Sequence, residues 1–159
     1  MMPYTKNKSD AYRKYAEVFT PPGVVAFMVL NDGIRDWVRS VDKTILDPAC
    51  GHGQFPCFEL VCKLFYQVGQ LNENVALRVL KSIYGIDIQP ASVEITRRHM
   101  LAALTDAYKF FTGNDFTRLD EATAIVNENF ICGDSLKIMR QCASRQLNLF
   151  DNKKSLLYN

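Results

Sequence analysis

Thr44-Ile45-Leu46-Asp47-Pro48-Ala49-Cys50-Gly51-His52-Gly53-Gln54-Phe55 is the stretch that decides the fold. A short β-branched run stops at an acid and a tight Gly-x-Gly turn, and an apolar helical pattern follows at once. It reads as strand, loop, helix. In open α/β sheets ligands bind at the carboxyl ends of the strands. Glycines there let the backbone approach a ligand that also meets the positive end of the next helix. The stretch therefore predicts a crevice for a nucleotide-like ligand. A Gly-x-Gly loop alone is more often an ordinary strand-to-helix turn, so two further strand ends carry the reading. Ile83-Tyr84-Gly85-Ile86-Asp87-Ile88 and Asn129-Phe130-Ile131-Cys132-Gly133-Asp134 are also short, apolar and stopped by an acid. Asp47, Asp87 and Asp134 should line one rim.

Helical patterns separate the three strands. Phe55, Phe58, Val61, Leu64, Phe65 and Val68 mark an apolar face, with Pro56 in the first turn and Gly69 as the stop. A short helix is expected over Glu73 to Ser82. Gln89-Pro90 opens another, on which Val93, Met100 and Leu104 face the sheet while Glu94, Arg97 and Arg98 face water. After a turn at Gly113-Asn114, the residues Phe116, Leu119, Ala122, Ile125 and Val126 suggest one more. Upstream, Thr20 can cap a helix whose first turn holds Pro21 and Pro22. That helix should run from about Pro22 to Arg39, with Val24, Phe27, Met28, Ile34, Trp37 and Val38 as core and a break possible at Asn31-Asp32-Gly33. The alternation predicts an α/β domain built on a parallel sheet flanked by helices.

With 159 residues, 48% of them hydrophobic, the chain can bury one core and is too short for two sizeable domains. Residues 1–14, which carry Lys6, Lys8, Arg13 and Lys14 beside Tyr4 and Tyr12, read as a flexible arm. Residues 15–145 read as the domain, and 146–159 as a polar tail or an improvised edge strand through Leu147, Leu149 and Phe150. Nineteen Lys plus Arg against 17 Asp plus Glu give a net charge of +2, which excludes a domain that grips DNA by itself through many phosphates. The five cysteines form no Cys-x-x-Cys pair and there are only two histidines, so no zinc site or disulfide framework is indicated. A reducing cytoplasm is expected. Gly23 to Leu30 is apolar but too short for a signal or a span, so no membrane partner is expected.

The three acids suit a nucleoside carrying a charged group. Asp87 can bridge two ribose hydroxyls, because a carboxylate accepts two hydrogen bonds at once. Asp134 can accept from an adenine amino group, and Asp47 can face an ammonium above Gly51 and Gly53. A dinucleotide fits less well: Gly51-x-Gly53-x-x-Pro56 has no third glycine, and Asp87 lies much further on than the spacing of about 20 residues expected there.

These residues resemble the amino-group DNA methyltransferases that use S-adenosylmethionine, especially the adenine-specific enzymes of restriction-modification systems. Ala16-Glu17-Val18-Phe19-Thr20-Pro21 is similar to their N-terminal cofactor motif, and Asp47 to Phe55 to their glycine-rich motif. Gly85-Ile86-Asp87-Ile88 is similar to the ribose-binding strand end, and Cys132-Gly133-Asp134-Ser135-Leu136 to the adenine-binding one. The resemblance covers about Glu17 to Leu136 and implies the N-terminal cofactor-binding half of a Rossmann-like methyltransferase fold. It implies that Phe19 and Thr20 close over the methionine end of the cofactor. Asp47, Ala49, Gly51 and Gly53 would hold its amino acid part, and Asp87, Ile88, Asp134 and Ser135 the adenosine. His52 departs from the small hydroxyl residue common at its position.

The family's catalytic motif, an Asn, Asp or Ser followed by two prolines and an aromatic residue, has no match in Ser135 to Asn159. Lys153 and Lys154 stand where the prolines would follow Leu147 to Asn152, and Thr20-Pro21-Pro22-Gly23 lacks the acid or amide and the aromatic ring. An exocyclic amine is a poor nucleophile until acceptors hold its protons, and an extruded base must be stacked. The chain is therefore expected to be inactive alone, with DNA held by a missing or separate recognition part. Thr44 to Asp47 would form an apolar edge for a partner chain that carries the catalytic motif, or for self-association. The alternatives are a non-catalytic binding or regulatory protein, and a methyltransferase acting on RNA, protein or a small molecule.

Overall fold

The computed structural model describes residues 20–142, so the expected arm, Phe19 and the segment 146–159 lie outside the described residues. Three parallel strands, β1 (Ile45–Asp47), β2 (Ile83–Asp87) and β3 (Phe130–Cys132), form one sheet in the order β1-β2-β3. Ile45 pairs with Ile83, Asp47 with Gly85 and Asp87 with Cys132, which brings all three carboxyl ends to the same rim. The α/β class and the flanked parallel sheet are as the sequence indicates.

Helices α1 (Pro22–Val29) and α2 (Asp32–Arg39) precede β1. The helix expected over 22–39 is thus two: the Leu30 N–H closes α1 onto the Ala26 carbonyl, and the Asn31 carbonyl accepts from Ile34 and Arg35 to start α2. Thr20 is not the cap, because Pro21 holds that position and no side chain caps the first turn. Between β1 and β2 run α3 (Gln54–Tyr66) and α4 (Glu73–Lys81), the latter capped by Asn72, whose side chain accepts from Val75 N at 3.1 Å. Between β2 and β3 run α5 (Pro90–Thr112) and α6 (Leu119–Asn129). Proline at the first position of α5 wastes no N–H, and Gly113 ends the helix in the left-handed conformation at φ 75°.

Leu60 and Leu64 of α3, Ile83 and Phe130 of the sheet, and Met100 and Leu104 of α5 are all buried in one core. A smaller cluster joins Val25, Val29 and Val38. The burial corrects several assignments. Val24, Phe27, Met28, Ile34 and Trp37 are exposed, because α1 and α2 pack through the other residues of their faces. Phe65 and Val68 are exposed too, while Glu59 and Lys63 are buried, so α3 presents a face rotated from the aromatic stripe. Arg97 faces water only in part: its guanidinium donates to the carbonyls of Phe130 and Asn127 and ties α5 to the start of β3.

Among the described residues, helices cover one face of the sheet and none covers the other. Gly85 and Phe130 stand side by side on the covered face. On the opposite face Leu46, Tyr84 and Ile131 are 46%, 38% and 39% exposed and line a groove of about 290 Å³. Parallel strands are ordinarily buried on both sides. Among the described residues β1 pairs on one side only, with β2.

Gly85 is required by packing, since a Cβ there would lie 2.6 Å from Phe130 Cδ1 and 3.0 Å from Cys50 Sγ. The variant Gly85→Ala should be destabilised by about 1–3 kcal/mol, the usual cost of overpacking, read as a lower urea midpoint. An unchanged midpoint would mean that Phe130 does not fill this space.

Candidate functional site

The rim is assembled by backbone hydrogen bonds to acids. After β1 the chain turns through Pro48 to Gly53, with Gly51 at φ 52° and Gly53 at φ 87°, conformations that L side chains rarely adopt. The Asp47 carboxylate accepts from Ala49 N at 3.0 Å, and the Cys50 N–H donates to the Ile86 carbonyl at 3.0 Å, which lays the loop across the end of β2. Gly51 N then donates to Asp87 Oδ2 at 3.0 Å, while Gln89 N donates to Asp87 Oδ1 at 2.8 Å. A carboxylate has about four lone-pair sites, so Asp87 orders both loops and keeps capacity for two more donors.

Asp134 is two residues past the end of β3. Its Oδ1 accepts from Lys137 N at 3.1 Å and its carbonyl from Ile138 N, so it caps the helix that begins at residue 135. Gly133 N donates to the Asp87 carbonyl at 2.9 Å, which joins the third strand end to the second. Asp47, Ala49, Gly51, Gly53, Asp87 and Asp134 are therefore brought to one connected rim. Ile88 is 58% exposed there and Ser135 is half-buried. Thr20 is half-buried at the start of α1.

Several residues that the sequence reading passed over support the rim. Thr96 Oγ1 donates to the Gly51 carbonyl at 2.6 Å, and a Cβ on Gly53 would lie 2.9 Å from Thr96 Cγ2. The signal was present: Thr96 stands three residues after Val93 and four before Met100, on the sheet-facing side of α5. His99 Nδ1–H donates to the His52 carbonyl at 2.8 Å, beside a groove of about 430 Å³ between α3 and α5. His52 thus contributes its carbonyl to the outer flank of the loop.

The electrostatics of the rim are acidic. Burial raises Asp47 above the ordinary carboxylate range, and the neighbouring Asp87 adds to the effect. Cys50 is pushed up to about 12 by burial and by Asp47 and Asp87, and Cys57 to about 12 by burial, so neither thiol is a nucleophile at neutral pH. On the buried face of α3 lie two charged side chains. Lys63 Nζ donates to the Ser40 carbonyl at 3.0 Å, the Lys43 carbonyl at 2.6 Å and Ser82 Oγ at 2.8 Å. Burial lowers it to about 8. Glu59 has no hydrogen-bond partner for Oε2 and is raised to about 7, chiefly by burial and then by Asp47. Among the described residues no group of three or more His, Cys, Asp or Glu side chains is placed to hold a metal ion. No described helix is long and apolar enough to cross a membrane.

Such a rim can hold a ligand by its hydroxyls and its positive charge, beneath the N-terminus of α3, whose first turn has no side-chain cap. No protein-family model and no solved structure matches the chain. A search of curated proteins shows similarity to the adenine-specific methyltransferase PglX of Streptomyces coelicolor, with 36% identity over 104 residues. The match takes in 60% of this chain but only 8% of that relative, so the chain spans less than a tenth of the protein it resembles. The chain thus has a distant relative among the methyltransferases.

Proposed function

We propose that this chain binds S-adenosylmethionine as the cofactor half of an adenine-specific DNA methyltransferase. The observation that carries the reading is the joined pair of Gly51 and Asp87, because it sets a positive-φ glycine loop against a strand-end carboxylate with two acceptor sites to spare. Two free acceptors suit the two hydroxyls of a ribose. Asp47 suits the ammonium of the amino acid part, and the uncapped first turn of α3 suits its carboxylate. Ala49 and Gly53 shape the loop, Ile88 offers an apolar surface, and Asp134 with Ser135 borders the adenine. Phe19 and Thr20 belong to the same proposal through the sequence resemblance. The bound cofactor supplies an electrophilic methyl group on a sulfonium. What these residues do is hold and orient it.

DNA is the proposed substrate, and its grip lies outside these elements, since a net charge of +2 gives little purchase on phosphates. The acceptors and stacking ring that an exocyclic amine needs have no counterpart in the sequence. A partner polypeptide that carries them would meet the β1 edge and the open face at Leu46, Tyr84 and Ile131. The missing motif equally favours a second reading, a non-catalytic protein that senses the cofactor.

Two outcomes are expected. In calorimetry, Asp87→Ala should weaken S-adenosylmethionine binding by roughly 1.5–3 kcal/mol, the range for hydrogen bonds to a charged group. Equal affinity for both proteins would remove Asp87 from the site. With radiolabelled cofactor and mixed-sequence DNA, the purified chain alone should transfer no methyl group above background. Incorporation would show that catalysis resides in residues not assigned here.

A further inference from the structure

Helix α5 carries three threonines, and one of them bonds differently from the other two. The hydroxyls of Thr105 and Thr112 turn back onto their own helix and donate to the carbonyls of Leu101 and Tyr108, four residues earlier, as helical threonines commonly do. Thr96 donates outward instead, to the Gly51 carbonyl at 2.6 Å. It is fully buried, on the same side of α5 as the core residues Val93 and Met100. An apolar side chain would pack there without the cost of burying a hydroxyl, which only a hydrogen bond offsets. The bond that Thr96 makes serves the loop and not the helix.

The loop needs such an anchor. Gly51 and Gly53 stand at φ 52° and 87°. Glycine enters positive φ about as readily as negative φ, so the residues' own preference does not hold the turn. Contacts hold it: Asp87 Oδ2 accepts from Gly51 N at 3.0 Å, Thr96 binds the carbonyl of the same residue, and His99, nearly one turn further along α5, donates to the His52 carbonyl at 2.8 Å. A trans peptide is planar with its C=O and N–H on opposite sides, so each pinned carbonyl also fixes the direction of the N–H that follows. The Thr96 methyl acts on the next glycine. A Cβ at residue 53 would lie 2.9 Å from Cγ2, so α5 fills the space on that side of the loop.

We infer that Thr96 is a positioning residue of the cofactor site: its hydroxyl holds Gly51 in the conformation that receives the ligand, and its methyl closes the side of the loop at Gly53. The inference rests on the cofactor reading above. In this role Thr96 acts through the loop and not by contact with the ligand. A loop that is only fractionally in the receiving conformation binds with an affinity reduced by that fraction. The net worth of one neutral hydrogen bond corresponds to a change of about three- to tenfold in that population. Removing the hydroxyl alone therefore slows association by that factor and leaves dissociation unchanged. Asp87 and His99 keep their own bonds to the loop, so the rest of the turn stays attached.

The test is S-adenosylmethionine binding by full-chain variants, with amide exchange of the ligand-free proteins read alongside. Thr96→Val keeps the shape and removes the hydroxyl. It should bind about three- to tenfold more weakly, with faster amide exchange at residues 51–53. Thr96→Ser, which restores the hydroxyl, should bind within about twofold of wild type. Thr105→Val removes a hydroxyl from α5 away from the loop and should bind as wild type does. A second pair reads the methyl: Gly53→Ala should bind weakly, and Gly53→Ala combined with Thr96→Ser should bind more tightly than Gly53→Ala alone. The strain of alanine at positive φ is common to both, and only the contact with Cγ2 is relieved. If Thr96→Val does not fold, this pair decides. Thr96→Val with wild-type affinity, Thr96→Ser no better than Thr96→Val, or the double variant no tighter than Gly53→Ala overturns the role of Thr96 and leaves the cofactor reading standing. Wild type that binds no S-adenosylmethionine overturns the cofactor reading and this inference with it.

Discussion

The hydrogen bond from Gly51 N to Asp87 Oδ2 is the interaction on which the site depends. It closes a loop that only glycine at positive φ can form, and it fixes that loop to the strand next door rather than to the one that precedes it. Thr96 holds the same glycine from the other side through its carbonyl, so the loop is clamped between β2 and α5. Gly133 joins β3 to the backbone of Asp87. Three strand ends that are far apart in sequence thereby become one surface. Asp87 is thus the structural anchor of the rim, accepting from the loops on both sides of it.

The sequence made the frame legible because strands in a parallel sheet are short apolar runs with sharp ends, and each of the three ends here is marked by an acid. The limits of α5 followed from Pro90 and Gly113, residues whose local chemistry starts or stops a helix. What did not follow was which face each helix buries. On α3 the aromatic stripe suggested Phe65 and Val68, yet Glu59 and Lys63 go inside because the strand-crossing segment 40–43 and Ser82 supply acceptors for the ammonium. Periodicity counts apolar residues and cannot anticipate a buried lysine that finds three acceptors. Arg97 escaped for the same reason, being charged but satisfied by carbonyls at the head of β3. At the rim, the places of the acids and glycines were legible; Thr96 was visible only as a sheet-facing position, and that it and His99 hold the loop appears only once α5 is packed.

Five of the partly exposed apolar residues, Ile34, Trp37, Leu46, Tyr84 and Ile131, lie together. Ile34 and Trp37 of α2 line a groove with Thr44, Ile45 and Leu46 of β1, and Leu46 continues onto the open face with Tyr84 and Ile131. The edge strand and the open face are thus one continuous apolar surface. A parallel strand added beside β1 would carry its own carboxyl end to the acidic rim, next to Asp47.

In the proposed function the glycine loop and the three acid strand ends form a single site for S-adenosylmethionine. Amide nuclear magnetic resonance of the isotopically labelled full chain, titrated with that ligand, addresses it residue by residue. The largest shifts are expected at Gly51, Gly53, Asp87, Ile88, Asp134 and Ser135, moving together with one dissociation constant. Shifts confined to Tyr84 and Ile131 on the open face or to His52 and His99 on the outer flank of the loop, or no shifts at millimolar ligand, would contradict it.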